Sequence, residues 1–508
     1  ITFEINGRYE NHTLKSSVTR MRFSQITHSI LGKALNDNSY RELLPNLEGK
    51  CLFSGSLYED RYRVGRHENA IYIDLGNKDW GHVKVTPEGW EVNRGECPVK
   101  FRRASHTRPL PYPTSDPDKG RIDKFLNLST EEDILLLHAF FIQCFSPEGP
   151  YPLLSLTGEQ GSAKSSAARF IVSLTDPKAA PLRAMPGNER DLMIDAEQSQ
   201  VLAYDNISYI KPDISDALCR LSTGGGFSTR ALYTDSEQVV FESSRPVILT
   251  GINESVTRSD LVDRTLSIQL KPINPSDRVS ESSLNLKLEN KRPYIFASLL
   301  DTLAGTMGEI SNITLKEPPR MIDFARMGEA VAKVLGRTPG SFVYAYNVSQ
   351  SGANENIVDS SPIGEPLRKF IKRENEWCGI NSDLLYHLNY FSSEEDRKRK
   401  GWPVDSARLS RTLRRLAPSF RSEGIQIEFD TPKRRYITIS ENPEFTDITD
   451  MEGKTPASDD YIHRETPDGS YDVKTVGTSV TDRENMTDEE FYDAIDSSVS
   501  KNVSSPKD

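Results

Sequence analysis

The sequence predicts an α/β protein built around a phosphate-binding loop, with a β-rich part before it and a small basic module after it. Three observations carry that prediction. The apolar run Leu153-Leu-Ser-Leu156 leads into Gly158-Glu-Gln-Gly-Ser-Ala-Lys-Ser-Ser166, which opens a helix-like stretch over residues 167–174. A second apolar run, residues 200–206, closes on Asp205-Asn206, with Asp205 41 residues after Lys164. A third, residues 247–253, ends in the amide Asn253.

Strand, glycine-bearing loop, Lys-Ser and helix, in that order, suit phosphate. Gly158 and Gly161 let the backbone wrap closely, so that N–H groups across Gly158, Glu159, Gln160, Gly161, Ser162, Ala163, Lys164, Ser165 and Ser166 can face an anion. The helix N-terminus adds favourable partial charge. Lys164 is expected on the β- and γ-phosphates of ATP, and Ser165 on Mg²⁺. Ala163 stands where the motif has glycine, which costs on the order of 1 kcal/mol if that residue needs a positive φ. Asp205 is the expected second member of the Mg²⁺ shell. Asn206 follows where many ATPases have a glutamate base. An amide can position water but cannot take its proton, so slow turnover is expected. Asn253 suits a sensor of the γ-phosphate or of its attacking water.

The remaining elements fall into place around this core. Residues 1–115 are expected as an N-terminal domain, with a helix near 26–44 and β texture from about 51 to 103. Trp80 and Trp90 read as core. Arg61, Arg63 and Arg66 read as a solvated face, with nucleic-acid backbone contact as the other option. The proline-rich stretch at 109–117 is a stiff linker, and Ser129-Thr-Glu-Glu132 is a capping-box signature before an apolar helix. The nucleotide domain is expected over 120–346, its last part a helical lid in which Arg320 or Arg326 could act as a second sensor. Residues 347–361 read as a polar linker.

Residues 362–440 hold 16 basic and 11 acidic side chains. Residues 406–417 form a helix closed by Pro418, with Leu409, Leu413 and Leu416 on one face and Arg408, Arg411 and Arg415 on another. A β-hairpin follows, with Lys433 and Arg434 near its tip. Helix with a basic face, then a basic-tipped hairpin, is the order of a winged helix over 362–442, able to enter a major groove and meet phosphates. The alternative is a solvated face on a protein-docking module.

The net charge of −11 belongs to the tail: residues 443–508 carry 17 acidic and 6 basic residues, and the rest of the chain balances. That tail reads as disordered, and the balanced body remains compatible with DNA binding. The five cysteines are far apart, with no C-x-x-C pair. This argues against a zinc site or disulfide framework and for a reducing cytoplasm. No membrane span is expected, since the most apolar run, 134–145, is too short.

Taken with the glycine–arginine stretch Gly224-Gly-Gly-Phe-Ser-Thr-Arg230 and with Asp260-Leu-Val-Asp-Arg264, the order of motifs resembles the AAA+-related ATPases. More closely it resembles superfamily 3 helicases and phage or mobile-element primase–helicase proteins. The resemblance spans roughly residues 50–440. It implies that Arg230 lies on a hairpin contacting single-stranded DNA in a ring pore and that Asn253 is the sensor. It also implies that Arg264, with Arg258 as second choice, reaches the neighbouring subunit's ATP; an ion pair within its own chain is the competing reading for Arg264.

The function expected is an ATP-hydrolysing helicase or primase-associated motor of mobile-element replication, acting as a homo-oligomeric ring. The alternative is a slow ATP-dependent switch on a DNA-bound complex, which Ala163 and Asn206 favour. A small-molecule kinase would leave Asn253 and the basic module without a role.

Overall fold

The N-terminal hairpin of strands β1 (Thr2–Ile5) and β2 (Arg8–Asn11) turns through Asn6 and Gly7. Both take a positive φ, as a two-residue hairpin turn requires. Helices α1 (Ser17–Leu31) and α2 (Asp37–Ser54) follow, capped by the side chains of Ser16 and Asn36. The single helix expected near 26–44 is therefore two, because Gly32 closes α1 in the left-handed region at φ 67°. α2 runs on to Ser54, so the β-rich stretch expected from about 51 begins at Asp60.

The computed structural model describes residues 1–116, 120, 122, 125–230, 238–251, 258–399, 401–430 and 436–441. All lie within Ile1–Pro456, one of the two units into which the chain divides. The other unit, with most of the acidic tail, lies outside the described residues.

After α2 comes β3 (Asp60–Arg61), then a meander of β4 (Val64–His67), β5 (Ala70–Asp74), β6 (His82–Thr86) and β7 (Gly89–Asn93), each antiparallel to the next. β8 (Lys100–Phe101) returns to pair with β3. Trp80 and Trp90 are half-buried, each with a polar partner. The Arg103 guanidinium lies 3.8 Å from the Trp80 ring centre, and Trp90 Nε1 donates to Asp301 Oδ1 at 2.7 Å.

Helix α3 (Glu131–Cys144), capped by Thr130, leads to β9 (Leu153–Thr157). Then follow α4 (Lys164–Thr175), α5 (Glu189–Glu197), β10 (Leu202–Ile207), α6 (Pro212–Thr223), the hairpin β11 (Gly226–Arg230) and β12 (Gln238–Glu242), β13 (Val247–Gly251), α7 (Ser259–Val262) and β14 (Thr265–Gln269). Strands β9, β10, β13 and β14 form one parallel sheet in the order β10-β13-β9-β14. Every residue of β9 and β13 is buried, as expected of parallel strands covered on both faces.

Helices α8 (Glu281–Glu309), α9 (Ile322–Val334) and α10 (Ser341–Ser360) complete this part. Phe296, Leu300, Phe324, Val331 and Phe342 join the same apolar core as α3, α4 and the sheet. The stretch expected as a linker at 347–361 is the second half of α10, and its polar residues serve the neighbouring sheet. Ser349 Oγ accepts from Ser267 N at 2.9 Å and donates back to Ser267 O at 3.1 Å, and Gln350 Nε2 donates to Thr265 O at 2.8 Å. These contacts satisfy the open edge of β14, which no further strand covers among the described residues.

The C-terminal module runs α11 (Gly364–Glu374), β15 (Glu376–Ile380), α12 (Asn381–Phe391), α13 (Glu394–Lys398), α14 (Ser406–Arg421), β16 (Ile425–Phe429) and β17 (Tyr436–Glu441). Its sheet is antiparallel in the order β15-β17-β16. α14 runs past Pro418, which lies inside the helix instead of ending it. Leu409, Leu413, Leu416 and Phe420 enter the module's core, together with Ile357 and Val358 of α10 and Val262 of α7. Among the described residues, no helix is long and apolar enough to cross a membrane.

Candidate functional site

β9 ends at Thr157, and the chain must then turn sharply into α4. Gly158 takes φ +144°, and a Cβ there would lie 2.7 Å from the Leu270 carbonyl oxygen and 2.8 Å from Ser162 Oγ. Only glycine fits that approach. Gly161, at φ +85°, makes the next bend. Ala163 completes the turn at φ 63°, ψ 29°, so the alanine does occupy a left-handed position. Replacing it with glycine removes strain worth about 1 kcal/mol. Ala163→Gly is therefore expected to raise the urea midpoint at an unchanged slope, and a lowered midpoint would contradict this account of the loop.

Ala163 provides no side-chain cap to α4, so the first-turn N–H groups remain open donors at the positive end of the helix. Lys164 folds back over the loop: its Nζ donates to Gly158 O and Glu159 O, both at 2.7 Å, and lies 3.4 Å from Ser162 Oγ. Glu159 and Gln160 are exposed, and Ser162 is buried. Ser166 is half-buried in the first turn of α4.

The strand order now matters. β13 lies between β9 and β10, which brings three hydroxyl and carboxylate groups together. Ser165 Oγ donates to Asp205 Oδ1 at 2.8 Å. Thr250 Oγ1, from the intervening strand, donates to the same oxygen. The register of β10 shifts between Tyr204 and Ile207, and Asn206, inside that irregularity, takes φ 57°. Its N–H donates to Thr250 Oγ1 at 3.1 Å, and its side chain is exposed. Sequence reasoning missed Thr250; the available signal was a polar residue inside the otherwise apolar run Val247-Ile-Leu-Thr250.

Chemically, the cluster offers an ammonium, open helix N–H groups, two hydroxyls and one carboxylate around a glycine turn. Among the described residues, no group of three or more His, Cys, Asp or Glu side chains could hold a metal ion by itself. A cation here would need Ser165 and Asp205 together with oxygens of a ligand.

The expected arginines fare differently. Arg264 Nη1 donates to Asp260 O at 2.6 Å and to Asp260 Oδ1 at 2.7 Å, so in this single chain it makes the internal ion pair. Arg320 joins the same carboxylate at 2.7 Å and reaches Asp263 Oδ2 at 2.7 Å. Burial pushes the Asp260 carboxyl upward, but Arg264 and Arg320 hold it below the ordinary range. Arg258 pairs with Asp216 at 2.8 Å, and Arg326 donates to Ile310 O at 3.3 Å. Arg230 is the last paired residue of β11, opposite Gln238. Asn253, Lys433 and Arg434 lie outside the described residues.

On α14, Arg408, Arg411 and Arg415 are all exposed, away from the buried leucines. Arg408 is partly engaged by Asp405, with Nε 3.6 Å from Oδ2. Arg414 lies over the Phe429 ring at 4.2 Å, a contact the leucine–arginine spacing did not reveal.

Arg63 belongs to neither of its two expected settings. It is buried at 3% exposure, and its Nε donates to Asp176 Oδ1 at 3.1 Å. The sequence signal was weak, because the partners are 113 positions apart.

Residues 121–349, which contain this cluster, match the family model described as "Actinomycete integrative conjugative element replication protein". Residues 363–456 match "AICE RepA C-terminal domain". Both descriptions are of replication proteins of integrative conjugative elements, and the two matches follow one another along the chain. The first match ends within α10, at residue 349, and the second begins one residue before α11. No curated protein matches the chain. Similar solved structures include an A-form apo structure of the NrS-1 C terminal region (305-718), at 10% identity, 87% coverage of this chain, 93% of that one and a TM-score of 0.35. A second A-form apo structure of that region stands at 12%, 87%, 94% and 0.37. A third, the apo structure of residues 305-718, stands at 11%, 87%, 93% and 0.37.

Proposed function

We propose that this replication protein binds ATP at residues 158–166 and hydrolyses it to act on DNA, as a helicase or primase-associated motor assembled into a homo-oligomeric ring. The observation that carries the reading is the contact of Ser165 Oγ with Asp205 Oδ1 at 2.8 Å. It joins the first turn of α4, just past the glycine turn, to an acid near the end of β10, the pairing a Mg²⁺-nucleotide site needs. A bound Mg²⁺ supplies charge neutralisation for the terminal phosphates; Ser165 and Asp205 would hold it. Lys164 exchanges the Gly158 and Glu159 carbonyls for phosphate oxygens. Asn206 orients water without taking its proton, and Asn253 senses the terminal phosphate. Arg230 contacts single-stranded DNA from the β11–β12 hairpin. Arg264, or in second place Arg258, leaves its internal carboxylate to reach a neighbour's ATP.

The C-terminal module is read as a winged helix. Supporting this are its element order and its exposed arginines, with Arg408, Arg411 and Arg415 of α14 and Lys433 and Arg434 of the β16–β17 connection meeting DNA phosphates. Arg411→Ala with Arg415→Ala is expected to weaken duplex binding at every sequence and to lower the salt dependence by about one phosphate contact per arginine. An unchanged salt slope would remove α14 from the interface.

The second reading, a slow ATP-dependent switch, is favoured by the strained Ala163 and by the Asn206 amide. Measuring hydrolysis with and without single-stranded DNA, and particle mass with and without ATP, tests both. DNA-stimulated turnover with ATP-dependent assembly is the motor's result. ATP binding with negligible turnover on DNA selects the switch.

A further inference from the structure

The connection between β14 and α8 runs back along the glycine turn. Leu270 N donates to Thr157 O at 2.9 Å, and the Leu270 carbonyl oxygen occupies the space that a Gly158 Cβ would need. Lys271 N then donates to Asn127 O at 3.1 Å, pinning the start of the connection. Farther on, Pro275–Asp277 makes a single 3₁₀ turn. Asp277 N donates to Asn274 O at 2.9 Å, and the Asn274 amide donates to Asp277 Oδ2 at 3.3 Å. The residue that leaves this turn is Arg278. Its Nη2 lies 3.4 Å from the position of a Cβ on Gly161.

We propose that Arg278 is a second phosphate-binding cation of this site, clamping the phosphate chain of a nucleoside triphosphate together with Lys164. The proposal rests on the nucleotide reading of residues 158–166 and adds a ligand that the motif does not contain. Arg278 is exposed and makes no hydrogen bond or ion pair with any described residue. Glu159, the carboxylate of the loop itself, does not take it, and Asp277 is engaged by Asn274 and Ser276. A solvated surface arginine would also have free donors, but this one stands over the apex of the turn. There Gly161, lacking a side chain, leaves the approach open. Lys164 brings a compact ammonium from within the loop, whereas Arg278 brings a planar fork suited to two phosphate oxygens at once. Because Arg278 comes from the same chain, capture of the phosphates does not wait for a neighbouring subunit.

The test uses the full chain with a fluorescent ATP analogue and Mg²⁺, read by anisotropy, for wild type, Arg278→Ala, Arg278→Lys and Lys164→Ala. Arg278→Ala is expected to weaken binding about tenfold or more, on the scale of a charge-assisted contact. Arg278→Lys should recover part of the loss, since it keeps the charge without the fork. The unfolding midpoint without nucleotide should be the same for both Arg278 variants as for wild type, which a merely structural role would not give. Wild-type affinity in Arg278→Ala, with binding lost in Lys164→Ala, overturns the clamp and leaves the nucleotide site standing. Wild-type affinity in Lys164→Ala overturns the site and the clamp with it.

Discussion

Lys164→Ala is expected to reduce ATP affinity by about a hundredfold or more and to abolish hydrolysis, while leaving the fold in place. The two halves of that expectation have separate causes. An ammonium facing phosphate oxygens makes charge-assisted contacts worth roughly 1.5–3 kcal/mol each, and Lys164 can make more than one. Folding depends on it far less. Its Nζ now serves the carbonyls of Gly158 and Glu159, and Glu159 is exposed, so water can replace the lost donor. The measurement is anisotropy or calorimetry with ATP and Mg²⁺, paired with a urea midpoint. Retained affinity at an unchanged midpoint would mean that the Gly158–Ser166 turn is a strand-to-helix connection and nothing more.

The parts of this site that could be read from the chain are those encoded locally. The glycines at 158 and 161 are forced by backbone that approaches Leu270 and then bends through positive φ, and such positions leave a mark in sequence. Asp205 was visible because an acid ending an apolar run is unusual. Thr250 was not, because one hydroxyl among buried aliphatics resembles strand filler. Its role appears only when β13 is placed between β9 and β10, and that order is set by how helices cover the sheet, not by any periodicity within a strand. The polar stretch at 347–361 failed for a related reason. Ser349 and Gln350 look solvated until the edge of β14 supplies the backbone groups they bond. Arg278 shows no motif at all, since it reaches the turn by way of a connection whose path only the fold defines.

The largest stability effect is expected far from the glycine turn, at Asp176. This carboxylate directly follows α4 and is buried among four donors: Arg63 Nε at 3.1 Å, Lys178 Nζ at 3.1 Å, Gln200 N at 2.8 Å and Val201 N at 3.1 Å. Arg63 also donates to the carbonyls of Asp74 and Arg108, so the network ties the N-terminal strands to the end of α4 and to the segment entering β10. Asp176→Ala leaves two buried cations without their anion. Removing one partner of such a pair costs about 3–5 kcal/mol, which lowers the thermal midpoint by roughly 10 °C. Asp176→Asn should lose nearly as much, because the amide keeps the shape but not the charge.

Acid should reach the same network in the wild type. Burial alone would raise the Asp176 carboxyl, yet Lys178 and Arg63 outweigh it and hold the group at about 2, below the ordinary aspartate value of about 4. A carboxylate depressed by folding contributes stability that is fully present above its unfolded value and is lost as pH falls through its folded one. The wild type should therefore shed this contribution between about pH 4 and pH 2, and Asp176→Ala should lack that component of the acid transition. If the two proteins instead unfold in parallel across that window, charge at Asp176 is not what joins α4 to the N-terminal strands, and the apolar core they share must suffice.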